Sequence, residues 1–230
     1  MSTILAVETS TELASVALLL NDRLLVRVAA SVQTHSQNLL PMVQGLLAEA
    51  GIRLADCDAI AFGAGPGSFT GVRTACGVVQ GMAFGADLPV APIGTLDAMA
   101  EACREQTGAN NVLCLLDARM GEVYWAQFRH GADGWQTVVA PRLSGPADVA
   151  PEGRVLACGN GLSAYADAFA GRDFLAGAQA AIMPHAAQIA ALARLAVARG
   201  ATVHASAAQP VYLRNKVALT TAERMAGKAA

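Results

Sequence analysis

Apolar and polar residues alternate along the first part of the chain in the manner of short strands separated by tight turns. Apolar runs occupy residues 4–7, 13–20 and 23–28, and short polar turns separate them. Three such runs predict an antiparallel meander. The period then changes: from about Ser36 to Ala50 apolar residues recur every three or four positions, which predicts an amphipathic helix that Gly51 ends.

Strand and helix patterns then alternate to residue 104, and the alternation restarts after the polar, turn-prone segment 107–111. The predicted strands lie at 58–64, 89–93, 112–116, 122–129, 135–140 and 155–158, and the predicted helices at 69–85, 95–104, 161–169 and 184–199, with irregular structure at 141–153. Each half therefore begins with strands and ends in alternating elements. We predict an α/β fold of two similar units, residues 1–106 and 107–230, whose C-terminal segment is able to pack back on the first unit.

Composition narrows the class of protein. The chain has 230 residues, of which 54% are hydrophobic and 15% charged, a balance opposite to that of disordered chains. It contains no run of about eighteen apolar residues, as a membrane helix would require, and its N-terminus lacks the basic region of a signal peptide. We therefore expect a cytoplasmic protein without membrane contact.

The formal net charge of −2 argues against direct nucleic-acid binding by this chain, because proteins that bind nucleic acid by themselves usually carry a basic excess. The one basic cluster consists of Arg214, Lys216, Arg224 and Lys228. Two interpretations of this tail stay open: a solvated chain end, or a contact with RNA or an acidic partner.

The segment from Gly65 to Gly71 lies between a predicted strand and a predicted helix, where backbone amides can face an anion. It lacks the lysine of a Walker loop and the glycine spacing of a nucleophile elbow. We therefore interpret Ser68 as the N-cap of the following helix rather than as a nucleophile.

That helix contains Gly77, Gly81 and Gly85, four residues apart and hence on one face. A glycine inside a helix costs about 0.5–1 kcal/mol relative to alanine, so the row needs an offsetting gain. Close approach of another helix would supply it. The partner is the helix at 36–50 or a helix of a second subunit, and the two are compatible if the helices stack as a bundle.

The spacing of histidines and cysteines does not indicate a metal site or a redox-active thiol pair. The histidines at 35, 130, 185 and 204 form no pair at ligand spacing, and the cysteines at 57, 76, 103, 114 and 158 include no C-x-x-C. We expect reduced, mostly buried thiols, with no metal and no cofactor.

Five blocks of sequence, at residues 4–10, 35–41, 63–73, 117–124 and 210–214, resemble the TsaB family, also called YeaZ. The resemblance runs from residue 3 to about 218. It implies the actin/hexokinase-like (ASKHA) fold of two RNase-H-like domains. It also implies a role in forming threonylcarbamoyladenosine on tRNA, next to the anticodon.

The resemblance further implies a chain without catalysis of its own. The catalytic paralogue, TsaD, carries a metal-binding H-x-x-x-H whose two positions fall on Thr95 and Met99 here, and neither is a competent replacement. In active kinases of this fold an Asp followed by Gly occupies the first phosphate turn. Here the segment 8–11 has bulkier residues, so we expect weak or no nucleotide binding between this turn and the turn at 117–121.

The implied partners are a TsaD-like catalytic paralogue, a TsaE-like ATPase, a second copy when the chain is alone, and tRNA indirectly through the complex. We predict that the partner surface is formed by the helices at 36–50 and 69–85, through His35, Leu39, Leu40, Val43, Leu46, Gly71, Ala75, Gly77, Val78, Gly81, Met82 and Gly85. Two enzymatic alternatives stay open: an active kinase of the ASKHA fold and a glycoprotease-like peptidase.

Overall fold

The computed structural model describes residues 2–29 and 35–214, with side chains in the second range from Gln37 onward. Its strands are β1 (Thr3–Glu8), β2 (Ser15–Leu20), β3 (Arg23–Val28), β4 (Ala59–Gly65), β5 (Val90–Gly94), β6 (Asn111–Asp117), β7 (Val123–Gly131), β8 (Gly134–Ser144) and β9 (Leu156–Cys158). Its helices are α1 (His35–Ala50), α2 (Phe69–Ala86), α3 (Thr95–Thr107), α4 (Gly161–Ala164), α5 (Ala166–Phe169) and α6 (Ala186–Ala198).

The first sheet has the strand order β3-β2-β1-β4-β5. Strands β1, β2 and β3 form the predicted antiparallel meander, and β4 and β5 run parallel to β1. Both faces of β1 are buried: Leu5 and Val7 face α1 and α2, whereas Ile4 and Ala6 face α6. A continuous apolar run is what a strand covered on both faces requires.

The second sheet repeats this arrangement in the order β8-β7-β6-β9. Strands β6, β7 and β8 are antiparallel neighbours, and β9 runs parallel to β6, as β4 does to β1. The repetition confirms the predicted fold class, an actin/hexokinase-like α/β fold built from two RNase-H-like units.

The helices do not follow the predicted division at residues 106 and 107, although the strands do. Helix α6 comes from the second half of the chain, yet Ile189 and Ala193 pack on the first sheet. Helix α3 comes from the first half, yet Leu96 and Cys103 pack in the core of the second sheet. The two units are therefore interleaved, because each sheet buries a face under a helix from the other half.

Two local expectations need correction. Strand β8 continues to Ser144, into the segment predicted to be irregular. The helix predicted at 161–169 is two four-residue helices, because Tyr165 between them leaves the helical conformation at φ −127° and ψ 36°. Its hydroxyl donates to Asp117 Oδ1 at 2.8 Å, a bond that ties this break to the end of β6. In the described parts of the chain no helix is long and apolar enough to cross a membrane.

Candidate functional site: the inter-domain cleft and the exposed face of helix α2

A cavity of about 580 Å³ lies between the two sheets, where the turns after β1 and β6 face each other. The loop before α2 and the C-terminal segment 211–214 form its other walls. Its polar and aromatic lining consists of Ser10, Thr11, Glu12, Ser68, Phe69, Asp117, Arg119, Tyr124, Asn160, Tyr212 and Arg214. This cleft is where the two turns discussed above would hold phosphates in an active kinase of the fold.

The loop before α2 is folded onto the first turn of its own chain. The amide of Ser68 donates to the carbonyl of Ser10 at 2.7 Å, and Thr9 Oγ1 donates to the carbonyl of Gly71 at 2.7 Å. A Cβ at Gly71 would lie 1.9 Å from the Thr9 carbonyl oxygen, so only glycine fits. Ser68 is the predicted N-cap, since its Oγ accepts from the Gly71 amide at 3.3 Å.

Beneath this turn, Glu8 is completely buried. Its Oε1 accepts from the Ser10 amide at 2.5 Å, and its Oε2 has no hydrogen-bond partner among the described residues. Burial raises the pKa of Glu8, with the hydrogen bonds from Ser10 opposing that rise. The Ser10 amide in the first turn is therefore bound to the chain's own carboxyl group and is not free to bind a phosphate, which gives a physical reason to expect weak nucleotide binding.

The opposite wall of the cleft is held by charge pairs. Arg119 contacts Asp117 at 3.3 Å and Glu12 of the first domain at 3.0 Å. Arg214 pairs with Glu122 at 2.5 Å. The cations that line the cleft are thus already compensated within the chain.

The C-terminal segment returns to the first domain before it reaches that wall. The Val211 amide donates to the Ala64 carbonyl at 2.7 Å, and Gln80 Nε2 donates to the Ala208 carbonyl at 2.8 Å. Of the predicted basic tail, the structure describes Arg214, whereas Lys216, Arg224 and Lys228 lie outside the described residues.

The two positions that correspond to metal-binding histidines in the catalytic paralogue lie inside the protein. Thr95 and Met99 are both fully buried, and Met99 belongs to the core under the second sheet. Over residues 2–29 and 35–214, no three His, Cys, Asp or Glu side chains are grouped so as to hold a metal ion. A neutral hydroxyl is a weak metal ligand and a thioether a soft one, so neither replaces an imidazole.

The predicted interface residues fall into two groups. Leu39, Val43, Leu46 and Ala75 pack in the core beneath the first sheet, and Gly71 is pressed against the first turn. The chain itself covers these five residues, so a partner cannot contact them directly. On α1, the apolar stripe that predicts an amphipathic helix packs on the chain's own sheet. The side chain of His35 lies outside the described residues.

The other group faces outward. Among the described residues nothing would lie within 4 Å of a Cβ at Gly77, Gly81 or Gly85, and Leu40 on α1 is 45% exposed. The alternative in which α1 covers the glycine row is therefore wrong. Val78 and Met82 flank the row and are partly buried.

Two residues of this surface, Phe84 and Arg73, were not among the predicted interface residues. Phe84, on α2, is 76% exposed, which is unusual for so large an apolar side chain. Arg73 stands one helical turn before Gly77 and stacks on Phe69. The exposed face of α2 is thus smooth, almost uncharged and partly aromatic, the character of a surface that another protein covers.

The repeated sheets and the cleft between them define a two-domain protein of the actin/hexokinase-like class. The family model for TsaD, described as tRNA N6-adenosine threonylcarbamoyltransferase, matches residues 28–226. The tRNA threonylcarbamoyladenosine biosynthesis protein TsaB of Escherichia coli K12 is 38% identical over 221 residues, which cover 94% of this chain and 96% of that protein. TsaB of Haemophilus influenzae is 39% identical and covers 94% of each chain.

A solved structure titled "YeaZ from Pseudomonas aeruginosa" superimposes with a TM-score of 0.86 at 42% identity, over 93% of this chain and 100% of that one. The chain therefore belongs to the TsaB (YeaZ) family, which shares its family model with TsaD.

Proposed function

We propose that the chain is a non-catalytic scaffold subunit of the cytoplasmic complex that forms threonylcarbamoyladenosine on tRNA next to the anticodon. Its direct partner is a TsaD-like catalytic paralogue. A TsaE-like ATPase joins that complex, tRNA contacts the chain only through it, and the chain forms a homodimer when alone. The observation that carries the proposal is the exposed face of α2 around Gly77, Gly81 and Gly85.

That face suits helix–helix contact for a geometric reason. The three glycines lie in one row of residues spaced by four, which on an ordinary helix forms a ridge of side chains. Here the row is a groove, so the ridge of a facing helix is able to enter it. Phe84 stands beside Gly85 at the edge of the groove, and Leu40 on α1 is also exposed, so both supply apolar area that a partner would bury.

The chemistry of the buried sites supports the non-catalytic part. The positions that would ligate a metal are Thr95 and Met99, both sealed in the core. In the cleft, the amides of Ser10 and Ser68 are bound within the chain. These contacts weigh against the kinase and peptidase alternatives, since both need an open group that binds or attacks the substrate.

Co-purification and reconstitution test the proposal. A tagged copy of the chain should retain the TsaD-like protein of the same organism through size-exclusion chromatography. In a reconstituted reaction with tRNA, modified adenosine should fall to background when the chain is omitted. Failure to co-elute, together with unchanged modification in its absence, would contradict the scaffold role. Modification or ATP turnover by the chain alone would contradict its non-catalytic part.

A further inference from the structure

Helix α2 carries a charge near each of its ends and none between them. Arg73 is its one charged residue, and Asp87 is the residue that caps its C-terminus. Both are exposed, and neither forms an ion pair with any other described residue. They are fourteen residues apart, or about 21 Å along the helix axis.

Neither charge is favourably placed with respect to its own helix. The amino-terminal end of a helix carries a partial positive charge and the carboxyl-terminal end a partial negative charge. Arg73 lies near the positive end, and Asp87 lies at the negative end. Against an antiparallel copy of the helix both placements reverse, because Arg73 would then lie beside a negative end and Asp87 beside a positive one.

Arg73 is also held in position. Its guanidinium carbon lies 3.5 Å from the centre of the Phe69 ring, and its Nε donates to the Tyr212 hydroxyl at 2.8 Å. Within the described residues these contacts leave the two terminal nitrogens without a hydrogen-bond partner. A side chain immobilised in this way loses little further entropy on binding a carboxylate.

We infer that, in the homodimer, Arg73 of each copy forms an ion pair with Asp87 of the other, across an antiparallel contact between the two α2 helices. The inference rests on the homodimer of the proposed function and identifies the residues that fix its register. The midpoint between Arg73 and Asp87 falls at the level of Gln80 along the helix axis, between Gly77 and Gly81. By helical phase at 100° per residue, both charges lie on the same side of that row. A two-fold axis through this midpoint therefore brings each charge opposite its complement, twice per dimer.

A charge-reversal cycle in the full chain tests this pairing. Arg73→Asp and Asp87→Arg should each raise the homodimer Kd at least tenfold in sedimentation velocity, because each creates two like-charge contacts. The double variant R73D/D87R should return to within about threefold of wild type, and a 1:1 mixture of the two single variants should form a heterodimer. Arg194→Asp, on α6 at the opposite face of the first sheet, is the matched control and should leave Kd unchanged.

Several outcomes would overturn the inference. It is wrong if the single variants dimerise like wild type, or if neither the double variant nor the mixture recovers. It is also wrong if the wild-type chain stays monomeric at the highest concentration reached. Co-elution with the TsaD-like protein is measured separately, so a failure of the homodimer pairing is distinguishable from a failure of the scaffold role.

Discussion

Replacing Gly77 and Gly81 by alanine should stabilise the isolated chain while it weakens association. Both glycines lie in the interior of α2, and a Cβ at either would meet no atom of the described chain within 4 Å. Alanine therefore adds no clash, and it lowers the entropy of the unfolded chain by restricting its backbone. Each replacement should raise the free energy of unfolding by about 0.4–1 kcal/mol. The double variant should gain about 1–2 kcal/mol, which for a chain of this size is a rise in Tm of roughly 2–8 °C.

Gly71→Ala is the matched control, because it changes the same residue type in the same helix. Its Cβ would lie 1.9 Å from the Thr9 carbonyl oxygen, so the backbone of the first turn must move. The control should lose stability, by about 1–3 kcal/mol or more on the usual scale for overpacking. Urea denaturation of the wild type, the double alanine variant and Gly71→Ala measures the expected gain and the expected loss of stability in one assay.

Association is measured on the same proteins by titration against the TsaD-like partner. The added methyl groups should weaken binding, and Gly81→Leu should weaken it by about 1–3 kcal/mol. If Gly77→Ala and Gly81→Ala destabilise the isolated chain, the predicted gain in stability is wrong, since the glycine row would then be needed for the fold of the chain itself. The proposed helix contact is wrong if Gly81→Leu folds and binds the partner as wild type does, since no helix would then enter the groove.

Three further predictions concern single side chains. Phe84→Ser should leave Tm unchanged and weaken association, because the ring is 76% exposed in the isolated chain; a fall in Tm would show that it packs internally. Asp97→Asn should stabilise the protein at pH 7.5 by about 2–3 kcal/mol but little near pH 4. Burial raises the pKa of Asp97 from 3.8 to about 6. Protonated Asp97 therefore supports the folded state below about pH 4, and this contribution to the free energy of unfolding is lost as pH rises through 6. If the free energies of unfolding of the two proteins, measured in urea, depend on pH in the same way, this prediction is contradicted. Arg214→Met should cost about 1–3 kcal/mol by removing the partly buried pair with Glu122, whereas Arg53→Met should leave stability nearly unchanged because that pair is exposed; equal melting temperatures would refute the difference.

Sequence periodicity was sufficient to locate the strands, although not the end of β8, for a physical reason. Apolar runs such as Ile4–Val7 must be buried on both faces, and the turns between them are short enough to fix antiparallel neighbours. Periodicity could not assign α6 to the first sheet, because its apolar stripe would suit either sheet equally well. That choice depends on long-range contacts, such as the bond from the Ala186 amide to Ser15 Oγ at 3.0 Å.

The candidate site was predictable only in part for a related reason. A heptad-like stripe on α1 shows which residues are apolar but not whether the chain or a partner covers them. Leu39, Val43 and Leu46 are covered by the chain itself. The strongest markers of the outer surface were instead residues that break the expected pattern, namely an exposed Phe84 and a row of glycines that no described side chain covers.

The glycines of α2 show why residue type alone could not separate fold from function. Gly71 and Gly81 are ten residues apart on one helix, Gly71 in its first turn and Gly81 in its interior, where a glycine is costly. Gly71 is required because a carbonyl oxygen of the first turn occupies the space of a Cβ. The space beside Gly81 is empty, so nothing within the described chain offsets its cost. An uncompensated cost that recurs at every fourth residue is best explained by a gain made outside the chain, which supports the proposal that a partner helix covers this face.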